Sequence, residues 1–262
     1  AGAITKSVTP VQVTADSAFV AIAVGSSNSC ALTASGQAWC WGRNARGEVG
    51  DSSQVARTAP VPVRTDARFT AITLGVSHTC GLRVSGAVLC WGWNRFGQLG
   101  AEAVSYNDVA ALELLPRRVA GTGTYAEVHA GANHTCARLT TGGIDCWGMN
   151  QDAGQLGDSL GLTHRGVPGA IASTETFTVL DVGHVSACAR TTAGAARCWG
   201  GNFYGAIGNG VRSPLPEQAP VAMAGSVVSF TRFSGGGYHM CGLDAAGKLY
   251  CWGDKAYGQI GN

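Results

Sequence analysis

Ten cysteines occur as five pairs, each pair ten residues apart: Cys30 and Cys40, Cys80 and Cys90, Cys136 and Cys146, Cys188 and Cys198, Cys241 and Cys251. The second member always opens the tripeptide Cys-Trp-Gly. Thiols in this pattern could oxidise to disulfides, stay free or ligate a metal. Zinc-binding cysteines usually lie two to four residues apart, so the longer spacing repeated in every pair argues against a metal. The pairs are centred on Ser35, Ser85, Thr141, Ala193 and Ala246, each followed by glycine: Gly36, Gly86, Gly142, Gly194 and Gly247. Glycine there suits the left-handed residue that ends a three-residue hairpin loop. Such a loop sets the two cysteines directly opposite one another, with Cα atoms ~4.5 Å apart and within reach of a disulfide. Five intra-hairpin disulfides are expected, and with them an oxidising compartment, extracellular or periplasmic.

The other residues with chemical capacity point to binding rather than catalysis. His78, His134 and His239 share one repeat position, where the other units carry Asn28 and Ser186. Three imidazoles could converge on a metal. Their interchange with Asn and Ser favours hydrogen bonding to local backbone instead, so no metal site is expected. Carboxylates such as Asp145, Asp181 and Asp244 do not recur as a pair able to place a general acid and base across a substrate. The chain has no Gly-x-Ser-x-Gly elbow, His-Glu-x-x-His or phosphate loop, and its thiols are assigned. No catalytic residue and no cofactor is therefore expected. After each Cys-Trp-Gly the sequence diverges: Arg43-Asn44-Ala45-Arg46, Trp93-Asn94-Arg95-Phe96, Met149-Asn150-Gln151-Asp152, Gly201-Asn202-Phe203-Tyr204 and Asp254-Lys255-Ala256-Tyr257. Aromatic and arginine side chains dominate binding hot spots, which makes Arg43, Arg46, Trp93, Arg95, Phe96, Phe203, Tyr204 and Tyr257 the expected partner-binding residues. The long linker Ala101–Pro116 holds Tyr106, Asn107 and Asp108, and its Leu112, Leu114 and Leu115 are expected to fold it back on its own unit.

The elements that must position these residues follow from the repeat. Successive units begin 50, 56, 52 and 53 residues apart, counted between first cysteines, a period typical of propellers and solenoids. In the second unit Pro60-Val61-Pro62-Val63 leads to Phe69–Gly75, then His78–Leu82, then Cys90-Trp91-Gly92. Short alternating apolar runs bounded by Gly and Pro read as strands, four per unit, with no sustained helical period. The fold class is all-β, in a single domain over residues 1–262. Only 13% of residues are charged while 39 are glycine, which favours tight turns and close-packed strands. The net charge of +2, with no basic run, excludes nucleic acid as a partner. No apolar run approaches the ~20 residues of a membrane span. Ala1-Gly2-Ala3 lacks the marks of a signal peptide, as would a chain already cleaved.

The pattern Gly-x-x-His-Thr-Cys-x-Leu, then Trp-Gly-x-Asn-x-x-Gly-Gln-Leu-Gly, resembles the repeat of the regulator of chromosome condensation family. Gly75–Leu82 with Trp91–Gly100, and Gly131–Leu139 with Trp147–Gly157, carry it most closely. The resemblance implies a β-propeller of four-stranded antiparallel blades, here five. Either the ring closes with five blades or the five units form an open arc completed by another chain. Pairing of Pro10–Val13 beside Lys248–Trp252 in the last blade would protect an otherwise open edge, and closure is the expected outcome. Nuclear members of this family exchange nucleotide on a small GTPase, whereas secreted bacterial members, including inhibitors of beta-lactamases, bind another protein across one face. The cysteine pairs favour the second setting. The expected function is a non-enzymatic secreted or periplasmic protein-binding propeller, acting as an accessory subunit or inhibitor through one rim. Its partner would be another protein in an extracytoplasmic or membrane-associated complex, with no direct membrane span. The alternative is an extracellular propeller hydrolase or lyase with a central-channel site.

Overall fold

A computed structural model of the chain describes residues 7–15, 17–101, 111–151, 153–225 and 229–261. Its nineteen strands form five antiparallel sheets, each wound outward in chain order. Blade 1 comprises β1 (Phe19–Val24), β2 (Asn28–Thr33), β3 (Ala38–Gly42) and β4 (Arg57–Pro62). Blade 2 comprises β5 (Phe69–Leu74), β6 (His78–Arg83), β7 (Val88–Trp93) and β8 (Leu112–Arg118). Blade 3 follows with β9 (Tyr125–Ala130), β10 (His134–Leu139), β11 (Ile144–Met149) and β12 (His164–Ala170). Blade 4 has β13 (Phe177–Val182), β14 (Ser186–Thr191), β15 (Ala196–Gly200) and β16 (Glu217–Ala222). Blade 5 has β17 (Phe230–Gly235), β18 (His239–Asp244) and β19 (Leu249–Gly253). The architecture is a five-bladed β-propeller.

Local chemistry explains each blade. The hairpin between second and third strands is closed by Thr33 N donating to Gln37 O at 3.0 Å and Gly36 N to Thr33 O at 2.9 Å, with Gly36 at φ 79°. Left-handed backbone of this kind is open to glycine without steric cost. The loop register makes Cys80 the direct partner of Cys90, and the same holds in every blade. All five disulfides form, with Cα atoms 4.1 Å apart. Each closes a short loop and stabilises its hairpin by about 3 kcal/mol or less in the chain-entropy picture. The glycine of Cys-Trp-Gly has a separate cause. Gly92 stands at φ 100°, and a Cβ there would lie 2.7 Å from Ser77 O.

Innermost strands surround a common axis. One cavity of about 310 Å³ is lined by Val24, Thr73, Ala130, Val182 and Gly235, one residue from each blade. Backbone bonds link neighbours around it: Val76 N donates to Ala132 O, Ala132 N to His184 O and His184 N to Gly236 O, at 3.0–3.1 Å.

The core is a set of interfaces between blades. Four clusters occur, each combining the disulfide of one blade with apolar residues of the next. Between blades 1 and 2, for example, Cys30, Cys40, Leu32, Ala38 and Val49 meet Phe69, Leu74 and Trp91. The repeated tryptophan completes each one. Trp91, Trp147, Trp199 and Trp252 donate Nε1–H to Glu48 O, Gln98 O, Gln155 O and Ala206 O of the preceding blade, at 2.9–3.1 Å. A buried indole N–H usually finds such a partner.

The expected closure by the N-terminal segment is not formed. Pro10–Val13 lies exposed outside any strand, and among the described residues the last sheet has three strands, ending at β19. Inner strands pack in chain order, β1 on β5, β5 on β9, β9 on β13 and β13 on β17, with no comparable packing of β1 on β17. Four interfaces thus join five blades, and the pairing of Pro10–Val13 with Lys248–Trp252 would not by itself supply the apolar contacts of a fifth. No helix of the described residues is long and apolar enough to cross a membrane.

Candidate protein-interaction rim

The loop after each Cys-Trp-Gly is built around its asparagine. Asn44, Asn94, Asn150 and Asn202 are buried, and their Oδ1 atoms accept from Val49 N, Leu99 N, Leu156 N and Ile207 N at 2.9, 3.0, 3.0 and 3.4 Å. In blade 5 Asp254 stands in this place, its Oδ1 accepting from Ala256 N at 3.1 Å. A buried amide anchoring backbone holds each loop in one shape. Beside each loop lies the turn that precedes the second strand of its blade: Arg43 N donates to Ser27 O, Trp93 N to Ser77 O, Gly201 N to Val185 O and Asp254 N to Tyr238 O. Both segments therefore belong to one rim.

The expected binding residues fall into two groups. In the first, Arg46 of blade 1 stacks on Trp93 of blade 2, its guanidinium 4.7 Å from the ring centroid. Arg95 lies 5.7 Å from Trp93 and 5.2 Å from Phe96, and the two rings meet edge-on at 5.8 Å. Phe96 is buried, so it supports this group from below rather than offering contact area. Arg43 lies 3.8 Å from Glu48, whose carboxyl is pushed above its ordinary range by burial. In the second group Phe203 and Tyr204 meet at 4.9 Å, and Tyr204 meets Tyr238 at 5.0 Å. Phe203 is 53% exposed and Tyr238 48%. Arg212 covers this group at 5.4 and 5.8 Å from the two blade-4 rings and donates Nε–H to Phe203 O at 2.7 Å. A cavity of about 160 Å³ opens beside it, floored by Ala153, Val185, Pro214 and Pro216. Tyr257 stands apart and almost fully exposed.

Arg212 and Tyr238 were not legible as site residues, because neither lies in a Cys-Trp-Gly loop. The signal was indirect: Tyr238 sits in the turn that backbone bonding ties to that loop. In the linker, Tyr106, Asn107 and Asp108 lie outside the described residues, as does Asp152. Leu112 folds back on its own blade as expected, opposite Trp93, while Leu114 O reaches blade 1 by accepting from Ser52 N at 3.2 Å.

His78 and His134 occupy blade interfaces, whereas His239, in the last blade, is half-buried. His78 is fully buried and its Nε2 lies 3.0 Å from Thr135 Oγ1, in the next blade. The Thr135 hydroxyl donates to Gln98 O at 3.0 Å, so His78 must donate to it and is neutral with the proton on Nε2. The partner is thus a hydroxyl of the next blade, not the local backbone expected from sequence. Burial lowers the pKa of His78 to about 4 and that of His134 to about 3. Ala187 holds in blade 4 the register position of Thr135 in blade 3, each opposite the repeated tryptophan, and both ring nitrogens of His134 lack a partner. Ala187→Ser should restore the link from His134 to Gln155 O and raise stability by about 1 kcal/mol; an unchanged or lowered melting temperature would show that the pocket cannot admit the hydroxyl. Among the described residues no group of three His, Cys, Asp or Glu is placed to hold a metal ion.

One polar cluster at the axis had no sequence signal. His129 Nδ1 lies 3.0 Å from Asp181 Oδ1, and Nε2 lies 3.9 Å from Glu127 Oε2. Glu127 also receives Arg138 Nη2 at 2.6 Å and Leu180 N at 3.0 Å, while Asp181 Oδ2 receives Gly235 N at 2.6 Å. Three inner strands are tied together by these bonds.

These features define a disulfide-stapled repeat propeller, a fold of the protein-interaction and regulatory kind. The family model described as "Regulator of chromosome condensation (RCC1) repeat" matches residues 19–48, 69–98, 126–155 and 230–259 in one form and 35–82 and 85–138 in another. The chain belongs to the RCC1 repeat family. It is 34% identical over 140 residues to the ultraviolet-B receptor UVR8 of Arabidopsis thaliana, covering 51% of this chain and 30% of that protein. Its fold superposes on yeast RCC1 (Prp20), solved bound to Kap60, with a TM-score of 0.76 and 20% identity over 90% of this chain and 56% of that one. The ectodomain of the Physcomitrella patens receptor kinase CR4 gives a TM-score of 0.59 at 21% identity, over 90% of this chain and 51% of that one. The chain thus spans under two thirds of each of these proteins.

Proposed function

We propose that this protein is a non-enzymatic binding module of an oxidising compartment, extracellular or periplasmic, which holds a partner protein across the rim as an inhibitor or accessory subunit. The observation that carries this reading is the exposed, mutually stacked set Phe203, Tyr204 and Tyr238 beneath Arg212, mounted on loops fixed by buried asparagines. Rings already held by one another lose little conformational freedom on docking, so more of the contact energy appears as affinity. Five disulfides support the oxidising setting, and one of the similar folds is a receptor ectodomain. The partner is defined by what it must offer, an apolar patch rimmed by acidic groups able to meet Arg212.

The test is capture from the native extracellular fraction, identification of the retained protein, and titration of the purified pair. Phe203→Ala with Tyr204→Ala should weaken affinity by roughly 30-fold or more, about 2 kcal/mol, with the melting temperature nearly unchanged. Undiminished affinity in that variant would remove the rim from the account.

A second reading has one observation in its favour. The Asp181–His129 contact beside an axial cavity of about 430 Å³ is the geometry of an oriented base. The further bonds from Arg138, Leu180 N and Gly235 N to its carboxylates give the cluster a tie between blades and favour a structural role. Hydrolase activity abolished by His129→Ala would establish the catalytic reading instead.

A further inference from the structure

We infer that the rim of blades 3 to 5 carries a trough for one extended segment of the partner protein, which sets an apolar side chain against the stacked rings and a carboxylate on Arg212. This rests on the binding role proposed above and names what enters the site. Two cavities make the trough. The first, of about 160 Å³, lies beside Phe203, Tyr204 and Tyr238. The second, of about 350 Å³, lies among Leu162, Thr163, Leu215 and Gln218. Ala153, Pro214 and Pro216 line both, so the cavities share a wall and run on from one another. The lining residues belong to the loops of blades 3 and 4 and to the turn of blade 5 that meets blade 4 through Tyr204 and Tyr238. The trough therefore lies between neighbouring blades and not on an outer face of the array.

Its walls are fixed before anything binds. The buried Asn202 donates Nδ2–H to Val211 O at 3.2 Å and its carbonyl accepts from Ser213 N at 3.2 Å, while Leu215 N donates to Ser213 Oγ at 3.0 Å. Proline at 214 and at 216 sets φ at two further positions of the same segment. Ser159 N donates to Gln218 O at 2.9 Å and ties the loop of blade 3 to β16. A site held in this way gives up little conformational freedom on docking. Apolar surface nevertheless stays open along its length, with Leu215 72% exposed and Leu162 43% exposed at the end away from the rings.

The chemistry left unsatisfied defines the occupant. Arg212 uses Nε–H on Phe203 O, and its two Nη groups bond to no described residue. No Asp, Glu or Lys of the described residues lines either cavity, and Glu217, next to Pro216, is already bonded by Asn209 Nδ2 at 2.7 Å. The complement to Arg212 is thus a carboxylate brought by the occupant. The Tyr204 and Tyr238 hydroxyls and the Gln218 side-chain amide also bond to no described residue. They suit the N–H and C=O groups of an extended backbone, which need partners once covered. A flat folded surface would bridge both cavities and leave voids whose linings lose their dispersion contacts. The first cavity falls below the ~300–1,000 Å³ of small-molecule sites and has room for about one side chain. A sugar ring stacks on a flat face, whereas Phe203 and Tyr204 meet edge-on at 76° and form a notch.

Panning the full, oxidised chain against a phage-displayed library of random linear peptides tests this. Enriched sequences should pair an apolar residue with a nearby Asp or Glu, and a synthetic peptide of that sequence should bind with micromolar Kd. Arg212→Glu should weaken that peptide roughly tenfold or more through loss of a charge-assisted contact. Panned again, the same variant should select Lys or Arg where the parent selected Asp or Glu. Gln218→Ala, in the second cavity, should weaken the peptide about threefold through loss of one hydrogen bond. Both side chains are exposed, so unchanged melting should show both variants folded. No enrichment, enriched peptides without an acid, affinity indifferent to Arg212→Glu, or a glycan array bound in place of peptide would each overturn the inference. A native partner that is lost with Phe203→Ala and Tyr204→Ala but is displaced by no linear peptide would overturn the extended segment and leave the rim standing. Peptides selected as expected, with no partner captured, would uphold the trough and remove the native rim partner instead.

Discussion

Trp147→Ala is expected to lower stability by about 4 kcal/mol, within the range for deleting a fully buried large aromatic. The side chain is 0% exposed and packs among Cys80, Cys90, Leu99 and Val128, with Tyr125 6.2 Å away. Its loss leaves a cavity between blades 2 and 3 and removes a donor from Gln98 O. In a repeat array each blade is held chiefly by its nearest neighbours, so the damage should be local to one interface and divide a cooperative transition into two. Trp41→Ala supplies the internal control. That indole has the same sequence context but is only half-buried, so its removal at low protein concentration should cost less than half as much. Chemical denaturation of both variants checks the pair through the midpoint and the slope. Equal losses would mean that Trp41 is covered as fully as the indoles of the internal interfaces, contrary to the structure.

Acidification should destabilise the protein between about pH 6.5 and 5, before most carboxylates titrate. His78 and His134 have folded pKa values of about 4 and about 3, lowered by burial from 6.5. Above pH 6.5 both are neutral in folded and unfolded chains and add no pH dependence. As the pH falls through 6.5 the unfolded chain takes up two protons that the folded chain refuses, so stability declines. The slope approaches about 1.4 kcal/mol per pH unit for each histidine, and the pair would account for roughly 5 kcal/mol by pH 4.5. Glu48 and Asp145 act in the opposite sense at lower pH. Burial raises both carboxyl groups, so the folded state binds their protons more readily and partly offsets the loss. His78→Asn and His134→Asn copy the residue at position 28, and each should flatten the slope between pH 6.5 and 5. An unchanged slope in the double variant would show that other groups control acid unfolding.

The disulfides, the hairpins and the strand order within each blade were legible because they arise from contacts between residues close in sequence, from Val24 opposite Ser29 to Leu89 opposite Arg118. Spacing and turn chemistry settle such contacts locally: Ser85-Gly86 forces the loop, and the loop sets Cys80 opposite Cys90. The rim loops were legible for the same reason. Their division into two groups was not, since Arg46 meets Trp93 across one blade boundary and Tyr204 meets Tyr238 across another. Nor was the burial of Phe96 distinguishable from the exposure of Tyr204, each two residues after its loop asparagine.

By itself the amino-acid sequence determined an array of five disulfide-stapled β-blades of the RCC1 repeat kind, because a short period repeated five times records the same local solution five times. It could not determine how neighbouring blades are turned against one another. Whether the first blade meets the last depends on the small rotation between neighbouring blades, summed over four interfaces, and that rotation is set by the bulk of side chains such as Val128, Leu180 and Met240 packed between sheets. Only the tertiary structure decided that Ile22 and Leu249 stand uncovered among the described residues, and that Ala187 holds the register position from which Thr135 meets the buried His78.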